Sequence, residues 1–142
     1  REVILDHNRA PRNSGELKDA SRIVEGVNPL CGDRMTLYEK LNGDTFEAIR
    51  FTGTGCAISA ASSSLMTERA KGASRKDNLN LFEKVHDMLT ANNYDDSKTV
   101  DLDKLAALSG VREYPTRIKC ASLAWHALKN ALTDTGDNVS TE

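Results

Sequence analysis

Aromatic side chains are scarce in this chain of 142 residues: three Phe, three Tyr and one Trp make up 5% of it. The interior must therefore be filled by Leu, Ile, Val, Ala and Met, which favours helices packed closely through small side chains and disfavours an all-β architecture. No run approaches the roughly 18 apolar residues of a membrane helix, and the start lacks the charged-then-apolar profile of a secretory signal. A cytoplasmic protein without a membrane partner is expected. An excess of positive charge is missing too, with 19 Lys and Arg against 21 Asp and Glu and a formal net charge of −2. Nothing in that balance points to nucleic acid. Internal repeats and low-complexity segments are absent. Cysteines are few, three in number and scattered, unlike the crowded sets of small disulfide-built secreted domains. Thiols distributed this way are more often ligands or nucleophiles than staples. The sequence opens on Arg1 rather than Met, so an upstream piece is expected.

What is present reads as strands followed by helices. Residues 2–9 end a helix that Ala10-Pro11 stops, because a residue before proline is pushed out of the α region. Three β-leaning runs follow at 21–27, 34–41 and 45–52, partly alternating between apolar and polar. Asn42-Gly43-Asp44 separates the last two, and Asn-Gly supplies the positive φ angles of a two-residue hairpin turn. The alternation slips between Phe46/Ala48 and Ile49/Phe51, which suits a bulge in the third strand. Beyond Gly55-Cys56 the period becomes helical, with Ile58, Ala61, Leu65 and Met66 on one face until Lys71-Gly72. Ser74 and Asp77 offer caps for a helix bearing Leu79, Phe82, Val85, Met88 and Leu89. Residues 92–98 read as a polar loop, and Asp101 can cap a short helix with Leu102, Leu105 and Leu108 that ends at Gly110. From Pro115 the stripe Ile118, Ala121, Trp125, Leu128 and Leu132 marks the clearest helix. The expected fold is α+β, a small antiparallel three-stranded sheet packed against helices, in one domain over residues 1–133 with a flexible tail at 134–142.

Four residues are candidates for chemistry. In Cys31-Gly32-Asp33, before the second strand, residues two apart project to one side of an extended backbone, so thiol and carboxylate can converge. Gly32 lets the chain bend toward a bound atom. Cys56 stands between the end of the third strand and a helix start, where unpaired backbone N–H groups and the helix dipole favour a thiolate. The spacing is no dinucleotide fingerprint, because the third glycine of that motif would fall at Ile58. On its helix face Cys120 has Arg117 and Ala124 one turn away and Ala127 two turns away, and the small neighbours leave room for something to approach. Taken singly, each cysteine also reads as a packed thiol at a turn or in a core. Taken together, three thiolates and one carboxylate make a four-ligand set that suits tetrahedral zinc or an iron-sulfur cluster. Zinc outcompetes ferrous iron at one site of this type. Such a set is rich in negative charge, which the neighbouring Arg34, Arg117 and Lys119 can compensate. His7, His86 and His126 lack ligand partners at helical spacing and read as surface or packing residues. Ser62-Ser63-Ser64, unfavourable in a helix, permits close helix contact.

Several segments, in order along nearly the whole chain, resemble the U-type iron-sulfur assembly proteins, the IscU/SufU family, and most closely its SufU branch. They are Arg9-Ala10-Pro11-Arg12-Asn13, Asn28-Pro29-Leu30-Cys31-Gly32-Asp33-Arg34, Gly55-Cys56-Ala57-Ile58-Ser59 with Ala61-Ser62-Ser63-Ser64, and Arg117-Ile118-Lys119-Cys120-Ala121. The resemblance implies an α+β fold with a small antiparallel sheet and a metal site at one end built from Cys31, Asp33, Cys56 and Cys120. As partner it implies a pyridoxal-phosphate-dependent cysteine desulfurase that delivers sulfur as a persulfide, together with other iron-sulfur assembly proteins. Scaffold-type members carry histidine directly before the last cysteine, whereas this chain has Lys119, and residues 88–110 resemble the insertion of the SufU branch. For that branch the resemblance implies bound zinc, Cys31 as the sulfur acceptor and Arg117 near the docking surface. The function so implied is zinc-dependent sulfur transfer in iron-sulfur cluster assembly. The alternative is a scaffold on which a [2Fe-2S] cluster is assembled and transferred, and a third reading is a structural zinc module.

Overall fold

The computed structural model describes residues 2–28, 32–90, 105, 107–109, 111, 114–133 and 139–140. Helix α1 (Glu2–Arg9) leads into strands β1 (Arg22–Asn28), β2 (Asp33–Asn42) and β3 (Thr45–Thr54), then helices α2 (Ala57–Ala70), α3 (Arg75–Thr90) and α4 (Pro115–Thr133), and a two-residue strand β4 (Val139–Ser140). The first three strands form an antiparallel meander, and β4 adds in parallel at the outer edge of β1, giving the order β3-β2-β1-β4. The α+β arrangement of an antiparallel three-stranded sheet against helices is thus present, with one difference at the end of the chain. Val139 and Ser140, in the stretch expected to be a tail, pair with Gly26 and Val27. Without them β1 would present an open row of backbone donors and acceptors, which a further strand can use.

Strand alternation turns one sheet face toward the helices. Asp33, Met35, Leu37 and Glu39 are buried along β2, and Val24 and Asn28 along β1. The register sets Arg22 opposite Glu39, Val24 opposite Leu37, Gly26 opposite Met35 and Asn28 opposite Asp33. This face therefore runs from a pair of ionisable residues, through apolar pairs, to a polar pair at its far end. Helix α4 contacts β1, β2, α2 and α3, and buries Ala121, Leu123, Ala124, Trp125 and Leu128. Its contact with α2 uses the serine run: the Ser62 hydroxyl donates to the Ala121 carbonyl at 2.5 Å and accepts the Trp125 indole N–H at 3.0 Å.

Local expectations are met with small corrections. Gly43 and Asp44 join β2 to β3, but positive φ occurs at Gly43 (62°) and not at Asn42, which stays in the ladder opposite Thr45. The bulge lies in β3 at Glu47, since Lys40 pairs with Ala48 and Leu41 with Phe46. Ser74 caps α3 by accepting the Asp77 N–H at 3.1 Å, and Asp77 sits in the first turn instead of capping. The histidines pack as expected: His7 is buried, with Nδ1 2.7 Å from Ser64 Oγ, and His86 meets His126 edge-on beside Phe82. Residues 92–98, most of 101–110, and 134–138 lie outside the described residues, while Leu105 and Leu108 are buried in the core. Among the described residues no helix is long and apolar enough to cross a membrane.

Candidate metal centre

Three elements bring one donor each to the polar end of the sheet. Asp33 opens β2 on the inner face and is 1% exposed. Its Oδ1 accepts the main-chain N–H of Cys56 at 3.0 Å, and its Oδ2 lies 3.8 Å from Cys56 Sγ. Gly55 makes this approach possible, because a Cβ there would stand 2.6 Å from Asp33 Oδ1 and 3.2 Å from Asp33 Cβ. Any larger residue would push the carboxylate away.

Cys56 is the N-cap of α2, in extended conformation (φ −75°, ψ 169°), and its sulfur accepts the Ser59 N–H at 3.5 Å. Sulfur here takes the place of the serine or aspartate oxygen that usually satisfies the first turn. The residue is exposed, so this thiol faces solvent on one side. Cys120, in the second turn of α4, is 3% exposed, and the Asn28 side-chain amide donates to its sulfur at 3.6 Å. The Asp33, Cys56 and Cys120 ligand atoms all lie within 4.8 Å of one another.

The donor set fits a thiophilic divalent ion. Tetrahedral zinc, with Zn–S near 2.3 Å and Zn–O near 2.1 Å, sets donor-to-donor edges of roughly 3.6–3.8 Å, so these atoms need draw in by about 1 Å at most. Two sulfurs and a single carboxylate select against magnesium or calcium, which take oxygen donors. Cys31, the fourth expected donor, lies outside the described residues. Its neighbour Gly32 has φ 71°, a left-handed conformation that favours glycine, and donates its N–H to the Asn28 carbonyl at 2.9 Å.

The expected compensating cations are arranged less closely. Arg34 and Arg117 are exposed, Lys119 is half-buried, and among the described residues none forms an ion pair with Asp33. Arg117 instead stacks over the Tyr114 ring, 5.0 Å from its centroid. Arg34 lines a small cavity with Gly53, Gly55, Ser59 and Ser63, immediately beside the Cys56 turn. Two residues of the centre escape sequence reasoning. Asn28 reads as a turn residue before Pro29, and only the pairing of β1 with β2 sets it opposite Asp33; the need for glycine at 55 follows from the pairing of β2 with β3, which sets Arg34 opposite Thr54 and so brings Asp33 beside Gly55.

Comparison with known proteins agrees with this geometry. Residues 1–121 match the NifU-like N terminal domain family. The chain is 46% identical over 132 residues to the zinc-dependent sulfurtransferase SufU of Bacillus subtilis (strain 168), covering 93% of this chain and 88% of that protein. It is 40% identical over 131 residues to the iron-sulfur cluster assembly scaffold protein IscU of Thermotoga maritima, covering 92% and 90%. The solved structure of FiSufU from Fervidobacterium islandicum AW-1 superposes with a TM-score of 0.85 at 32% identity, covering 93% of this chain and 95% of that one. On a family match and full-length relatives of this identity, the chain belongs to the NifU-like N-terminal domain family, the U-type IscU/SufU proteins.

Proposed function

We propose that this protein is a zinc-dependent sulfurtransferase of iron-sulfur cluster assembly, with Cys31 accepting sulfur from a pyridoxal-phosphate-dependent cysteine desulfurase and passing it to other iron-sulfur assembly proteins. The observation that carries this reading is the convergence of Asp33, Cys56 and Cys120 donor atoms within 4.8 Å, in a chain 46% identical to a protein named as a zinc-dependent sulfurtransferase. Cys31, Asp33, Cys56 and Cys120 would hold the metal. Bound there, zinc would keep the thiols deprotonated at neutral pH and hold them in place. The Cys31 thiolate attacks the outer sulfur of the desulfurase persulfide. A new S–S bond forms on Cys31, the partner's S–S bond breaks, and the partner cysteine departs as a thiolate, so no oxidant or reductant is consumed. Asp33 stays oriented through the Cys56 N–H, and Arg34, Arg117 and Lys119 supply positive charge around an anionic centre. The reducing cytoplasm suits such exchange.

Labelled-sulfur transfer from cysteine, run with a desulfurase, tests the reading. Wild-type protein purified with bound zinc should acquire label, and Cys31→Ser should lose at least nine-tenths of it. Stimulation of the desulfurase with no label on the wild-type chain overturns the assignment. The relatives named as IscU scaffolds support a second reading, in which a [2Fe-2S] cluster is built on the same donors as cargo. Lys119 counts against it, since a protonated ammonium offers no lone pair to iron. Anaerobic reconstitution separates the two, because a scaffold yields a stable cluster that passes intact to an apo-ferredoxin.

A further inference from the structure

The two described cysteines of the centre are held in opposite ways. Cys56 is exposed and its sulfur is met by the Ser59 N–H, whereas Cys120 is buried and its sulfur is met by the side-chain amide of Asn28. Asn28 is itself 0% exposed. Its Oδ1 is buried without a hydrogen-bond partner, although its Nδ2 lies 3.6 Å from Cys120 Sγ. Burying one end of a carboxamide unsatisfied is unfavourable. The position keeps that cost while the other end of the group meets sulfur. The same residue accepts the Gly32 N–H at its main-chain oxygen and stands opposite Asp33 in the sheet, so its main chain is held both by the turn before β2 and by β2 itself.

We propose that Asn28 is a positioning residue of the metal centre: its amide N–H holds Cys120 as the permanent thiolate ligand, so that ligand exchange and sulfur attack fall on another cysteine. The inference rests on the reading of this corner as a metal centre. A hydrogen bond to an ionised acceptor is the strong kind, and it is stronger for a sulfur that is 3% exposed than it would be in water. It also draws electron density from the thiolate, which lowers its nucleophilicity while leaving it bound. Outer partners of this type orient metal ligands and tune them. Leucine at 28 would lack the donor, and aspartate would set a second carboxylate against the thiolate.

The experiment uses the full chain with Asn28→Ala, Asn28→Asp and Asn28→Ser, loaded with zinc or with cobalt as a spectroscopic substitute. Zinc affinity is read by competition with a chromogenic chelator, the ligand field by the thiolate-to-cobalt charge-transfer band, and ligand lability by timed alkylation mapped to each cysteine. In wild type Cys120 should be alkylated last. In Asn28→Ala its rate relative to Cys56 should rise at least tenfold, zinc affinity should fall roughly 10–100-fold, and the charge-transfer band should move to lower energy. Asn28→Asp, of nearly the same shape, should move all three in the same direction, while Asn28→Ser, which keeps a donor, should recover part of the wild-type order. Equal acceleration of Cys56 and Cys120, or an unmoved band and affinity in the first two variants, overturns the inference. Wild-type protein that takes up neither zinc nor cobalt overturns the metal-centre reading itself, which is a distinguishable result.

Discussion

Glu39 sits on the buried face of the sheet opposite Arg22, 0% exposed, with no hydrogen-bond partner on either carboxylate oxygen. The nearby arginines direct donors elsewhere: Arg22 Nη2 reaches the Asn130 carbonyl at 3.5 Å and Arg75 Nη2 the Leu132 carbonyl, both near the end of α4. Burial pushes the Glu39 carboxyl from its ordinary 4.5 up to about 7, and the attraction of Arg22 and Arg75 only partly opposes that. The folded state then binds this proton more tightly than the unfolded chain. Below pH 4.5 both states are protonated and the effect vanishes. Between pH 4.5 and 7 the unfolded chain has released the proton and the folded one has not, so this residue's contribution falls as pH rises, by about 3 kcal/mol in all. Glu39→Gln removes the titration while keeping the shape. Its stability relative to wild type should therefore be about 1–3 kcal/mol more favourable at pH 8 than at pH 4.5. Urea unfolding at the two pH values reads the difference, and an identical difference at both would show that Glu39 titrates normally.

Helix α1 is an element held largely by polar contacts. Val3 and Ile4 lean on the core while Leu5 is 43% exposed, and the anchor is the Ser64 hydroxyl, 2.7 Å from His7 Nδ1 and accepting the Arg12 N–H at 2.8 Å. The Arg12–Asp6 ion pair nearby is exposed and adds little. Ser64→Ala leaves a buried imidazole and a backbone donor without that partner, at a cost of about 1–3 kcal/mol. Hydrogen exchange should show the amides of α1 losing protection while those of α4 keep theirs; uniform loss would mean that α1 is not a separate unit. The anchor also marks where the sequence stops being legible. The hairpin at Gly43, the bulge beside Phe46 and the α4 stripe were readable because each is written in a few neighbouring residues. The burial of His7 depends on Ser64, 57 positions away, and Glu39, Asn28 and β4 depend on strand register, which local pattern does not contain. The site is more legible because thiols are rare here: Cys56, Cys120 and an aspartate beside a glycine stand out in the sequence, and these three bring their donor atoms within 4.8 Å of one another, while Cys31 lies outside the described residues.

For the whole molecule, the candidate metal centre would be a further joint between parts that already pack on one another. Asp33 begins the middle strand, Cys56 begins α2 and Cys120 lies in α4, so an ion held by all three ties the sheet to two helices. The unfolded chain does not assemble these donors, and binding therefore adds to folding stability by mass action. At free zinc one hundred times the dissociation constant the gain is about 2.7 kcal/mol, which for a chain of this length corresponds to a rise of roughly 5–10 °C in melting temperature. Cys56→Ser separates this linkage from ordinary packing. Serine keeps an oxygen at the N-cap to accept the Ser59 N–H, and the position is exposed, so the helix start survives the change. In excess chelator wild type and Cys56→Ser should melt within about 2 °C of each other, as befits a change of well under 1 kcal/mol. In excess zinc the wild type should rise and the variant should rise by less than half as much. An equal response in scanning calorimetry would remove Cys56 from the ligand set. A large loss already present in chelator would instead assign this thiol to the packing of α2, because only a metal-dependent difference belongs to the joint.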